Sequence, residues 1–104
     1  MQRKKTYRKL PVKGMSGVVV KRRGHQERFD ERKVYASVYS SCLASHSREK
    51  EAEKTAALVT KHIKSWIKKK RTVSSGQIFR EVGKLLEKTN KDAAYMYRTH
   101  MDIS

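Results

Sequence analysis

Cysteine, proline and acid are all scarce in this chain of 104 residues, which has one Cys, one Pro and 10 Asp and Glu against 26 Lys and Arg. The lone Cys42 excludes an intramolecular disulfide and a cysteine-based zinc site within one chain. A reducing cytoplasm is the expected setting. No apolar run approaches the length of a membrane span or of a signal-peptide core. The four histidines, His25, His46, His62 and His100, include no pair at the i, i+4 spacing of a helical metal site, so none is expected to hold a metal. Serines 37, 40, 41, 45 and 47 follow no nucleophile-elbow pattern, and no Walker-type glycine loop is present. An enzyme is not expected.

What remains is charge. The formal net charge is +16. A field of that sign draws polyanions: nucleic acids, nucleotides or acidic membrane surfaces. Residues 1–17 hold six of the cations and no acid, with Pro11, Gly14 and Gly17 and no sustained period. They read as a basic, flexible tail ahead of one domain over 18–104.

Within that domain the pattern is α+β. Val18-Val19-Val20 enters Lys21-Arg22-Arg23, turns at Gly24 and returns through a short strand to Phe29. Asp30 is a good N-cap for a helix whose apolar positions, Val34, Val38 and Cys42, recur every fourth residue. His46-Ser47-Arg48 breaks it. A second helix from about Glu49 carries acid in its first turn and Lys68-Lys69-Lys70-Arg71 at its end, matching the helix dipole. Its stripe is Ala52, Ala56, Val59, Ile63, Trp66 and Ile67. Ser74 with Gln77 three residues later makes a capping box for a third helix bearing Ile78, Val82, Leu85 and Leu86. A fourth runs from about Asp92 with Ala94, Tyr97 and Met101 inward.

The segment from Val19 to Val34 places cations beside a helix N-terminus, where a polyphosphate binds well. It resembles the opening motif of the ATP-cone, the nucleotide-sensing domain of ribonucleotide reductases and their transcriptional regulator. Val19, Lys21, Arg22, Gly24, Glu27, Phe29, Asp30 and Lys33 match that motif in order and spacing, with Val34 for isoleucine. Val73-Ser74-Ser75-Gly76-Gln77-Ile78 is similar to a second family segment, and Asp92–Arg98 more weakly to the closing helix. Two positions depart from the pattern: Arg23 stands where the family carries an acidic or amide residue, and Phe79 where it sometimes has histidine.

The resemblance implies a β-hairpin or three-stranded sheet forming a lid over a four-helix bundle. It implies ATP or dATP as ligand, with Mg2+, bound without hydrolysis. Val19 would belong to that site. Lys21 and Arg22 would face the phosphates, Glu27 the base or sugar, and Lys33 would reach back to the triphosphate. Ser75 or Ser74 would supply a hydroxyl, Arg98 a late phosphate contact, and Tyr95 or Tyr97 the wall of the adenine site. The implied role is allosteric sensing, with nucleotide-dependent self-association or a ribonucleotide reductase subunit as its output. The alternative is a nucleic-acid-binding protein, using Arg3, Lys4, Lys5, Arg8 and Lys9 of the tail with Lys68, Lys69, Lys70 and Arg71.

Overall fold

The computed structural model describes residues 15–22 and 24–100. The chain is α+β: β1 (Met15–Arg22), β2 (His25–Asp30), α1 (Glu31–Ala44), α2 (Glu49–Ile67), β3 (Thr72–Ser74), α3 (Ser75–Thr89) and α4 (Lys91–His100). β1 begins at Met15, inside the segment read from sequence as tail, and α4 starts one residue earlier than expected.

The three strands form one sheet in the order β2-β1-β3. β1 and β2 are the expected hairpin, antiparallel, with Lys21 opposite Gln26 and Arg22 opposite His25. Gly24 holds the turn at φ 80°, a left-handed conformation that glycine adopts without a Cβ penalty. The pairing shifts between Met15 and Val19, four steps along β1 answering two along β2. β3 is only three residues long and pairs parallel to β1, with Val20 against Val73 and Lys21 against Ser74.

Three of the four helices start at a side-chain cap, and α2 does not. Asp30 caps α1: its Oδ1 accepts the Arg32 backbone N–H at 3.0 Å. α1 ends in a Schellman motif, in which Ser47 N–H reaches the Cys42 carbonyl at 2.9 Å and His46 N–H that of Leu43 at 3.0 Å. His46 takes the left-handed position, at φ 72°. Ser74 and Gln77 close the capping box of α3 in both directions, at 3.0 and 2.9 Å. Asn90 accepts the Ala93 N–H at 3.0 Å at the head of α4 and donates to the Ser47 hydroxyl at 3.2 Å. One side chain thereby joins the α3–α4 corner to the α1–α2 loop.

The core follows the periodicities read above. Val34, Val38 and Cys42 of α1 meet Ala52, Ala56, Val59, Ile63 and Ile67 of α2, all buried. Alanines in the first half of α2 let α1 approach closely, while Ile63 and Ile67 fill the wider end. Full burial of an isoleucine contributes about 1.5–3 kcal/mol. Val82 and Leu86 of α3 and Ala93, Ala94 and Tyr97 of α4 complete the bundle, and Val20, Phe29 and Val73 roof it from the sheet. Cys42 is buried among these residues, and burial pushes its thiol pKa up. It is a small core residue, inert as a nucleophile.

Candidate functional site: the sheet end beside helix α3

Parallel pairing of β1 with β3 has one consequence that matters chemically. The basic end of β1 and the last residue of β3 arrive at the same end of the sheet, and α3 starts there without a linker. Lys21 sits in the middle strand, flanked by Gln26 and Ser74. Adjacent strands lie about 4.8 Å apart, so the backbone of the exposed Lys21 stands next to Ser74, the residue that precedes α3. The positive end of the helix dipole and the cation therefore act on the same volume.

The two serines at this corner divide their work. Ser74 Oγ accepts the Gln77 N–H, which commits it to the cap. Ser75 is the first residue of α3 and half-buried. A further cation joins them: the Arg80 guanidinium folds back one turn, to 3.8 Å from where a Cβ on Gly76 would stand. Arg80 escaped the sequence reading because only the i, i+4 geometry of a formed helix brings it to the first turn.

Lys33, which the resemblance turns toward the triphosphate, reaches from α1 to β2. Its Nζ lies 3.2 Å from Glu27 Oε1, tying the hairpin to the first turn of α1. Just before it, Arg32 grips both oxygens of Asp30, at 3.0 and 3.1 Å. That hydrogen-bonded fork holds the Asp30 carboxyl below its ordinary pKa, with the backbone N–H of Arg32 and the charge of Lys33 adding to the effect. Val19 lies in β1 opposite Arg28 and Thr72, and Arg22 closes the strand opposite His25.

Arg98 is elsewhere. It pairs with Glu87 on the α3–α4 seam, and a Cβ on Gly83 would sit 2.9 Å from its Nε. Gly83 is eight residues along α3 from Ser75, about 12 Å at 1.5 Å per residue. Tyr97 is core: it stacks on Phe79 with centroids 5.0 Å apart and is hydrogen-bonded to Ser37, and burial pushes its pKa up to about 12. Tyr95 is 66% exposed on the outside of α4. Neither ring lines the corner at Ser75.

Of the other cations, Lys68, Lys69 and Arg71 are exposed around the end of α2, and the Lys70 ammonium lies 4.8 Å over the Trp66 ring. Arg23 and the tail residues Arg3, Lys4, Lys5, Arg8 and Lys9 lie outside the described residues. Among the described residues no three His, Cys, Asp or Glu gather as a metal site, and no helix is long and apolar enough to cross a membrane. No family model, no curated protein and no solved structure matches this chain.

Proposed function

We propose that this chain is a nucleotide sensor of the ATP-cone kind, holding ATP or dATP at the sheet end beside α3 without hydrolysing it. The observation that carries the reading is the pairing of Lys21 with Ser74, which sets a strand cation against a helix N-terminus. Lys21 meets the phosphates from the strand, with Arg22 assigned to them by the resemblance alone, while the first-turn N–H groups of α3 and the Ser75 hydroxyl meet them from the helix. Arg80 adds charge from the next turn. Glu27, held by Lys33, stands on β2 at the position that the resemblance assigns to the base or sugar. Arg98 pairs with Glu87 on the α3–α4 seam.

Binding without turnover suits the local carboxylates. Asp30 is forked by Arg32, and Glu27 pairs with Lys33. Neither is poised to take a proton from an attacking water, as a general base must be. The ligand's effect is instead conformational. A triphosphate bridging β1 and α3 favours the arrangement in which they meet, and any partner or second copy that distinguishes that arrangement reads the nucleotide. A ribonucleotide reductase subunit is the partner that the resemblance suggests.

Calorimetric titration with ATP and dATP in the presence of Mg2+, at about 0.15 M salt where loose charge attraction is damped, tests the reading. Saturable micromolar binding, weak with GTP and lost in Lys21→Ala, is the expected result. Equal weak binding of every triphosphate, or none, overturns it. The nucleic-acid reading attaches to different residues, Lys68, Lys69, Lys70 and Arg71 at the end of α2, with tail residues that lie outside the described ones.

A further inference from the structure

The outer face of α2 carries a line of lysines that the helix itself does not require. Lys50, Lys54, Lys61, Lys64 and Lys68 are all exposed. At 100° per residue they fall within one stripe on the side away from Ile63 and Ile67, with the small Ala57 filling the gap in the series. The stripe runs 18 residues, about 27 Å along the helix axis. From Lys54 to Arg80 the chain contains no Asp or Glu. Lys64 reaches Glu31 of α1 at 3.0 Å. Among the described residues no ion pair engages Lys50, Lys54, Lys61 or Lys68.

Dipole compensation asks for cations in the last turn only, and lysines three and four residues apart on one face repel. A stripe of this length therefore works against the helix that bears it, so what it offers must lie outside the helix.

We propose that this face of α2, continued by Lys69 and Arg71, docks along the phosphate backbone of duplex DNA without reading its sequence. A rigid, straight row of ammonium groups fits regularly spaced phosphates on a stiff duplex, and each contact releases counterions. A single strand would instead need open aromatic platforms for its bases. The stripe positions hold no aromatic residue; Trp66 lies on the opposite side of α2, under Lys70. Duplex RNA is read largely through its 2′-hydroxyls, and the stripe positions hold only lysine and alanine, with no hydroxyl or amide among them.

The test is fluorescence anisotropy of a labelled 20-base-pair duplex of arbitrary sequence with the full chain, from 50 to 200 mM salt. In the triple variant Lys54→Gln, Lys61→Gln, Lys68→Gln, the log–log salt slope should shrink by about 2.7, three contacts at 0.9 each, and affinity at 100 mM salt should fall about tenfold or more. The same positions changed to arginine should retain binding, which guards against a folding artefact. Lys84→Gln, Lys88→Gln, Lys91→Gln removes equal charge from α3 and α4. If that control loses as much affinity as the stripe triple, the stripe is not the docking face. Tighter binding of duplex RNA or single-stranded DNA of the same length overturns the choice of partner, and no duplex binding by the unaltered chain overturns the proposal outright. ATP titration of the same variants keeps this result separate from the nucleotide reading, which makes no use of α2.

Discussion

The two cationic regions of this molecule are built by opposite means. At the sheet end, the cations come from three elements: Lys21 of β1 opposite Ser74, Arg80 of α3 beside Gly76, and Lys33 of α1 beside Glu27. On α2 the lysines come from one element and do not converge at all. A compact gathering around a helix N-terminus suits a small polyanion, because several donors meet a few phosphates at once. A line about 27 Å long suits a long polyanion, because each lysine meets a different phosphate. Net charge describes both regions equally well and distinguishes neither.

The largest effect that tests this contrast is charge reversal at Lys21. A hydrogen bond to a charged group contributes about 1.5–3 kcal/mol, and reversal adds repulsion, so Lys21→Glu should weaken ATP binding about a hundredfold or more by calorimetry. Duplex DNA affinity should change by less than about threefold, since one exposed charge lies off the stripe. The stripe triple should give the mirror image. If both affinities fall together in both variants, the two regions are one surface and the contrast is wrong.

Next in size is the division between the two serines. Ser74→Ala removes the N-cap and should cost about 1 kcal/mol of stability, lowering Tm by about 4–8 °C in a domain of this size. Ser75→Ala should weaken ATP binding about tenfold, a larger effect on the ligand than Ser74→Ala has. Identical thermal and binding profiles for the two variants would remove Ser75 from the site.

That division also marks what the sequence discloses. The Ser74–Gln77 box, the Asp30 cap, the break at His46 and the inward stripes of the helices were legible, because each depends on residues two to four apart; Met101 lies outside the described residues. β3 was not legible from its residues, because three residues carry no period; its strand character comes from β1, distant in sequence. The same cause hid the site. Lys21 and Arg22 stand out in the sequence, yet their neighbour Ser74 lies more than fifty positions away. Arg80 becomes relevant only once α3 exists. The resemblance also carried Arg98 toward the phosphates, whereas its guanidinium is held by Glu87 and packs where Gly83 has no side chain. The stripe on α2 went unread for another reason: attention to the apolar face leaves the opposite one described only as polar.

A smaller effect concerns acid at the sheet end. Asp30 has a folded pKa below its ordinary value, so its contribution to stability is fully present above the ordinary carboxylate range. It is lost as pH falls through about 4 toward the folded value. Asn caps a helix about as well as Asp but does not titrate. Urea midpoints of the unaltered chain and Asp30→Asn should therefore converge as pH drops from 6 to 3, with the unaltered chain the more stable at pH 6 through its fork with Arg32. A constant gap across that range would mean that the fork adds nothing to folding.

The smallest effect decides whether the lysine stripe is a burden on its own helix. Lys61 faces Lys64 at i+3, a like-charge pair that destabilises a helix by about 0.2–0.5 kcal/mol. Lys61→Glu turns that pair into an attraction and should raise stability by about 0.3–0.5 kcal/mol in a denaturant series, an increment that needs matched m-values to resolve. The same change should weaken duplex binding. A variant that gains stability while losing the polyanion is what a surface kept for binding produces. A loss of stability in Lys61→Glu would instead make the lysine a structural part of α2, and the stripe would have its explanation inside the fold.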